Sequence, residues 1–547
     1  MSAAASGEAQ SLSQTTAAHS SVRSARRVAS GILLSRIAGF VRTSAIASAL
    51  GTSPWATAFS AALRMPNALQ NLLGEGTLSA SFIPVYARLL AQGDERAAGR
   101  LAGAVFALLL AAAGGFALIG ITLAPVLVRI FTPGFAPATR DATIACVRII
   151  FPMTGLLVLS AWAIGILNSH RRFFISYSAP VLWNAAIIAA ALLFSGRLQG
   201  LDLLLALSWG ALAGGALQFL VQLPWVLRLE RSLAVRWDTR SAETQQVLRN
   251  AGPAILGRGV VQLSAYLDQW LASWLFSGAL AALNYAQTLY VLPVSLFGMS
   301  VAAAELPEMA RQGEQAAVLR QRMEDALQRI ALLVMPAVIG YTVLGDLVVG
   351  TLLQRGQFLR VDTLLVHAVL LCYAIGLLAA TSTRLYSSAF YALNDTRTPA
   401  RIAALRVALA AALGVLLMLM LERYALRASP FGIVRSAGAD ATLRPLGAAG
   451  LALASGIAAW VEWTLLRRGI RRRIGGLGMG RGLLLRLLFA ALVPAVLVRL
   501  AMLVALPRYP LFVVGATLLP LFGLGYLLLA SLLGVAPARA MLGRVRR

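Results

Sequence analysis

Ser35-Arg36-Ile37-Ala38-Gly39-Phe40-Val41-Arg42 lies in the middle of the first long apolar stretch of this chain, residues 28–50. About fourteen stretches of this kind follow one another, each near or above the ~20 residues a helix needs to cross a bilayer. Such a chain reads as an all-α polytopic membrane protein, because a spanning helix satisfies its own backbone hydrogen bonds in lipid. Two arginines inside a spanning helix are then the anomaly. A guanidinium at mid-bilayer costs about 2.5–3.5 kcal/mol on insertion scales, so it is expected to face a wet, protein-lined cavity. In a cavity it is an anion-binding group, with a planar fork that matches phosphate.

The bulk composition agrees. Hydrophobic residues make up 59% of 547 and charged residues 13%, against roughly 25% charged in soluble proteins. Mean hydropathy is +0.77. All 48 basic residues are arginine, and the net charge is +27. Most of these arginines sit between apolar runs, which is the pattern of positive-inside topology. Nucleic-acid binding is not expected, since the folds that read bases need soluble domains. Cys146 and Cys372 lie in separate apolar segments and suggest neither a disulfide framework nor a zinc site. The chain has no lysine for a phosphate-binding P-loop and no His-Glu-x-x-His motif. Glu305 and Glu308 flank Pro307 near an inner helix end and read as interfacial. No cofactor, metal or enzymatic chemistry is expected.

Spans are expected at 28–50, 55–90, 101–131, 140–168, 174–195, 201–228, 246–277, 279–310, 325–353, 362–392, 398–421, 445–467, 483–505 and 510–534. Alternate connections are arginine-rich, among them Arg171 and Arg172, Arg228 to Arg240, and Arg467 to Arg473. Both ends of the chain are basic. An even number of spans with both termini cytoplasmic fits this bias. The connection 422–444 is the exception: it carries Arg423, Arg427, Arg435 and Arg444 yet belongs outside. It is either a folded surface loop or a slip in the count.

On a helix turning about 100° per residue, Ser35, Arg36, Gly39, Arg42 and Thr43 share one sector. Leu34, Ile37, Val41 and Ala45 lie opposite. In the second segment Arg64, Asn67, Gln70, Asn71, Gly74 and Glu75 form another polar stripe. Pro66 is expected to interrupt that helix, and Gly74-Glu75-Gly76 to break it again, as happens where helices line a site. Both stripes are candidate substrate-binding surfaces. A structural reading stands beside this one: Arg36 snorkelling to the interface and Arg64 pairing with Glu75. Asp268, in Tyr266-Leu267-Asp268-Gln269-Trp270, is a candidate for ion coupling, with Asp395 a distant second. His367 reads as a packed residue.

The opening octapeptide resembles the MurJ (MviN) family, lipid II flippases of the MOP exporter superfamily. So do Arg64-Met65-Pro66-Asn67, Gly74-Glu75-Gly76 with Phe82-Ile83-Pro84, Thr132-Pro133-Gly134-Phe135, and Ile166-Leu167-Asn168-Ser169. Gly252-Pro253-Ala254-Ile255-Leu256-Gly257, Gln354-Arg355-Gly356-Gln357-Phe358 and the stretch from Phe390 to Pro399 continue the match in order. The resemblance implies two six-helix lobes around a central cavity, here 28–230 and 246–468, joined by a cytoplasmic linker at 231–245. It implies two further helices within 483–534 that hold a polyprenyl tail, reached through a basic Gly-rich linker at 469–482. Residues 1–27 would be a disordered cytoplasmic tail and 535–547 a basic one. The implied substrate is lipid II, undecaprenyl diphosphate bearing a disaccharide-pentapeptide, moved from inner to outer leaflet of the bacterial inner membrane by alternating access. Membrane lipids and the cell-wall synthesis machinery would be its partners. Arg36 and Arg42 match the family's cavity arginines and Glu75 its second-helix acid. Gln70 and Thr288 stand where the family often has arginine, and Thr57 where it has aspartate. The implied cavity is therefore less cationic. Export of another lipid-linked oligosaccharide, or a transport-deficient scaffold role, are the alternatives those departures leave open.

Overall fold

The computed structural model describes residues 31, 33–311, 316–428, 431–435, 443–476, 478 and 480–545; the expected tail 1–27 lies outside them. Among the described residues, twelve helical stretches are long and apolar enough to cross a membrane. The two expected spans outside that set, 55–90 and 246–277, are helical as well, but carry too many polar residues to qualify on hydropathy alone. They are the second and seventh segments, which hold the Arg64 stripe and Asp268.

The chain divides into two compact units. Unit 1 runs to Ala49 and from Pro54 to Tyr266. It contains α1 (Leu33–Leu50) apart from its last residue, α2 (Pro54–Leu73), α3 (Glu75–Ala91), α4 (Glu95–Thr122), α5 (Ala124–Phe131), α6 (Pro137–Ser169), α7 (Phe173–Ser178), α8 (Pro180–Phe194), α9 (Gly200–Leu229) and most of α10 (Ala242–Ala272). Pro66 does not break α2, contrary to expectation: the helix continues through it to Leu73. The break falls at Gly74, whose N–H donates to the Gln70 carbonyl at 2.7 Å. A Cβ there would lie 2.2 Å from that same oxygen, so only glycine fits.

The core of unit 1 is built where α3, α4, α6 and α9 meet, from Phe82, Tyr86, Leu101, Trp162, Leu167 and Val226. Trp162 is fully buried and its indole N–H donates to the Ala102 carbonyl at 3.1 Å. A buried polar chain joins α6 to α9: Gln218 Nε2 donates to Ser160 Oγ at 3.0 Å, and Ser160 Oγ donates to Gln222 Oε1 at 3.0 Å. Between helices in lipid such bonds act as glue, each contributing roughly 0.6–2 kcal/mol.

Unit 2 comprises Leu50–Ser53 and Leu267–Arg547. After the end of α10 it contains α11 (Ala279–Pro293), a π-helical turn (Val294–Met299), α12 (Ser300–Arg311), α13 (Ala316–Val343), α14 (Gly345–Leu353), α15 (Arg360–Ala392) and α16 (Arg397–Leu421). Strands β1 (Tyr424–Ala428), β2 (Phe431–Arg435) and β3 (Arg444–Pro445) follow, then α17 (Gly447–Ile474), α18 (Arg481–Ala505), α19 (Leu511–Leu532) and α20 (Ala536–Val545). The two units share one helical plan. A 28-residue helix, a short helix of 8 or 9 residues and a 33-residue helix recur as α4–α5–α6 and α13–α14–α15. Each 33-residue helix ends near a non-glycine residue in the left-handed region, Arg171 (φ 58°) and Asn394 (φ 57°).

Within the arginine-rich connection 422–444 the described residues form a small sheet. β1 pairs antiparallel with β2 and with β3, in the order β2-β1-β3. It is tied down by Asp362 at the start of α15, a buried carboxylate that accepts from Arg444 Nε at 2.9 Å, from Leu359 N at 2.9 Å and from the Thr52 hydroxyl. Thr52 belongs to the short Leu50–Ser53 turn, which Tyr285 also holds by donating to the Gly51 carbonyl at 2.9 Å. Helices α18 and α19 pack on α13 and α14 through Leu332, Leu344, Leu347, Ala491 and Tyr526. The Tyr526 hydroxyl donates to the Leu332 carbonyl at 2.6 Å. Beside this apolar contact, Arg499 grips both oxygens of buried Asp346, at 2.8 and 2.9 Å, and Arg360 approaches at 3.3 Å.

Candidate anion site in unit 1

The expected division of α1 into two faces is present in the fold. Leu34, Ile37 and Val41 are exposed at 44%, 53% and 45%, as side chains facing lipid would be. Ser35, Gly39 and Arg42 are half-buried and Thr43 is buried. The Thr43 hydroxyl donates back to the Gly39 carbonyl at 3.0 Å, within α1. Arg36 lies about one and two-thirds turns before Arg42 and is exposed.

Arg42 meets α8. Its guanidinium carbon sits 4.6 Å from the centre of the Trp183 ring. Its Nε is buried and has no hydrogen-bond partner among the described residues. The next residue, Asn184, is 4% exposed; its amide N–H donates to the Pro180 carbonyl at 2.9 Å, while its Oδ1 is buried without a partner among the described residues. A Cβ on Gly39 would lie 3.8 Å from that oxygen, so Gly39 lets α1 sit against Asn184. Trp183 is itself fixed, its indole N–H pointing at Met153 Sδ at 3.2 Å. A cation held on a π face satisfies its charge but leaves hydrogen-bond donors unused. Such a guanidinium is poised to take an anion's oxygens, each charge-assisted bond contributing about 1.5–3 kcal/mol.

The second stripe is present in part. Arg64, Asn67 and Gln70 are half-buried on α2. The Tyr266 hydroxyl of α10 donates to the Arg64 and Met65 carbonyls at 3.1 and 3.2 Å, anchoring α2 at that level. The side chains of Asn71 and Glu75 lie outside the described ones, so an Arg64–Glu75 pair is not part of the site as described. Asp268 is exposed on α10, in the part of that helix that belongs to unit 2. Asp395 caps α16: it accepts from Thr398 N at 2.9 Å and from the Thr398 hydroxyl at 2.7 Å, and pairs with Arg473. Those bonds hold its carboxyl down at about 2, with the Thr398 backbone bond the largest cause.

Trp183 and Asn184 were not singled out from the sequence, although an asparagine in an apolar run is a legible signal. Ionisable residues within spans of unit 2 carry the same signal, among them Arg384, Arg406 and Glu462, and the Asp346–Arg499 pair. Arg406 Nη1 lies 3.3 Å from a Glu462 oxygen, a charge contact without hydrogen-bond geometry. The rule that picked out Arg36 applies equally to them. Thr288, noted from the sequence as standing at a position where arginine is frequent in the resembling family, bonds back to the Asn284 carbonyl at 2.9 Å and supplies no charge.

Residues 46–433 match the family model described as lipid II flippase MurJ. A probable lipid II flippase MurJ of Rhizobium tropici is 33% identical over 401 residues, covering 71% of this chain and 74% of its relative. The chain belongs to the MurJ family. A MurJ member from Burkholderia cenocepacia is 30% identical over 453 residues, 81% of this chain and 82% of that protein. A solved MurJ structure in an inward closed conformation has the same fold, with a TM-score of 0.71 at 20% identity over 92% of this chain and 98% of that one. A multidrug resistance MATE transporter of the MOP superfamily, inward-facing, superposes with a TM-score of 0.63 at 17% identity, covering 80% and 94%. The likeness in fold covers more of the chain than the region matched by the family model.

Proposed function

We propose that this chain is a lipid II flippase of the bacterial inner membrane, with both termini cytoplasmic. Family membership supports the activity, and the arginine bias of alternate connections supports the orientation. The observation that carries the site is Arg42: a guanidinium on a spanning helix, stacked on Trp183, with a buried nitrogen that has no hydrogen-bond partner among the described residues. It would take the diphosphate of the lipid-linked precursor, with Arg36 drawing the headgroup in from the inner leaflet. Ser35, Gly39, Asn67 and Gln70 would line the path, with Arg64 adding charge where Gln70 and Thr288 supply none and Glu75 completing the second stripe. The Arg36–Arg42 face opens in turn to each leaflet.

No bond is made or broken in this cycle. The barrier is the transfer of a charged headgroup past hydrocarbon, and a wet cationic surface removes most of it. Membrane potential contributes about 2.3 kcal/mol per charge per 100 mV where net charge moves. Asp268 is the candidate for ion coupling; Asp395, tied into a helix cap, suits a structural role. The cell-wall synthesis machinery would use the product. A related reading, transport of another lipid-linked oligosaccharide, is favoured by one observation, the uncharged Thr288.

The test is rescue of a bacterium depleted of its own lipid II flippase, with wild type, Arg36→Ala and Arg42→Ala matched for membrane expression. Rescue by wild type and its loss in Arg42→Ala is the expected result. Equal rescue by all three would discard the site. Failure of well-expressed wild type would favour the other lipid-linked substrate.

A further inference from the structure

The segment between α9 and α10 is held in a groove on one side and bare on the other. Glu230 begins it, buried, with one carboxylate oxygen accepting from the Tyr86 hydroxyl at 2.6 Å and the other from Ser232 Oγ. The Ser232 hydroxyl also reaches the Glu95 carbonyl at 2.6 Å. The chain then lies directly on α4. A Cβ on Gly99 would stand 2.3 Å from Ser232 Oγ, and one on Gly103 would stand 1.9 Å from the Ala234 carbonyl. Leu233 joins the core of unit 1. Beyond it, Asp238 turns the chain into α10 by accepting from Arg240 N at 2.8 Å and Ser241 N at 3.1 Å. That leaves its carboxylate engaged with backbone.

What this clamped segment presents outward is Val235 and Trp237, exposed at 55% and 67%, flanked by exposed Arg231, Arg236 and Arg240. The segment directly follows Trp225 and Arg228 at the end of a spanning helix, where the guanidinium lies 5.7 Å from the ring. Bulky apolar side chains interleaved with arginine, on a backbone fixed at a span's end, match a bilayer interface: indole at headgroup depth and guanidinium on phosphate. We propose that residues 231–240 are an interfacial anchor, with Val235 and Trp237 seated in the inner leaflet and Arg231, Arg236 and Arg240 binding the phosphates of anionic phospholipids. The inference is independent of the transported substrate.

The test uses the full chain with Cys146→Ala and Cys372→Ala, in lipid nanodiscs with and without phosphatidylglycerol. A nitroxide is attached at Val235→Cys and, separately, at Gln92→Cys as an exposed reference; Trp237→Cys serves as a second site where the first variant folds poorly. At Val235 the expected result is several-fold more collisions with oxygen than with a water-soluble nickel chelate, the reverse of Gln92. Phosphatidylglycerol raises that ratio, and the triple variant Arg231→Gln, Arg236→Gln, Arg240→Gln abolishes the increase. Three outcomes overturn the proposal. Chelate collisions dominating at Val235 place the segment in water. Low collisions with both reagents place it against protein. A ratio indifferent to phosphatidylglycerol removes the anionic lipid.

Discussion

At the scale of single residues, Arg42 is the group whose chemistry is most specific. Lysine keeps the charge but loses the planar fork and the stacking on Trp183. Arg42→Lys is therefore expected to bind a diphosphate-bearing lipid about 10–100-fold more weakly, the equivalent of one charge-assisted bond. A binding titration in nanodiscs checks this, and an unchanged affinity would mean the fork is not used. Asp395 gives a pH prediction. Its folded pKa, about 2, lies below the usual carboxylate value near 3.9. Its contribution to stability is thus present in full above about pH 4 and lost as pH falls through 2. Asp395→Asn should lower the melting temperature at pH 7 and converge on wild type in strong acid. A constant difference across that range would show that the carboxylate charge is not what stabilises the cap.

At the scale of elements, several boundaries lie where local chemistry points and one does not. The second segment breaks at Gly74, where the backbone folds so tightly that a side chain would strike its own helix and only glycine fits. Pro66 leaves α2 unbroken although its missing N–H frees the Ala62 carbonyl. Tyr266 anchors the same stretch from outside through the Arg64 and Met65 carbonyls, and no local pattern announces such a neighbour. The junction of α4 with the 231–240 segment is equally tertiary. Gly103→Val is expected to dislodge that segment, since the added Cβ alone would overlap the Ala234 carbonyl. The overpacking cost is about 1–3 kcal/mol. Faster proteolysis after Arg236, read against intact α4, is the observable; unchanged cleavage would show that the groove is not needed.

At the scale of the whole molecule, α18 and α19 belong to unit 2 because of a charge clasp as well as an apolar contact. Asp346→Leu leaves both Arg499 and Arg360 without their carboxylate. Breaking a buried pair costs up to about 3–5 kcal/mol, but both guanidiniums are nearly half exposed, so about 1–3 kcal/mol is the better figure. Arg499→Leu should cost less, because Asp346 keeps Arg360. Melting temperatures in one detergent order the three proteins, and an Arg499→Leu variant less stable than Asp346→Leu would reverse this account.

Segment count, helical class and the lipid-facing side of α1 are properties the amino-acid order determines alone. Spans of about 20 apolar residues have no other stable form in lipid, and residues 34, 37 and 41 share a face by helix geometry. Arg36 and Arg42 were equally legible, because charge in an apolar run carries an intrinsic cost. The partners were not. That Arg42 rests on Trp183, that Asn184 is left with a bare oxygen beside it, and that Asp395 is a cap depends on which helices touch. The same holds for the outward aspect of Trp237, fixed by a groove more than a hundred residues away in the chain. Periodicity sets the face of one helix, while only packing between helices, driven by close fit and shared hydrogen bonds, decides what that face meets.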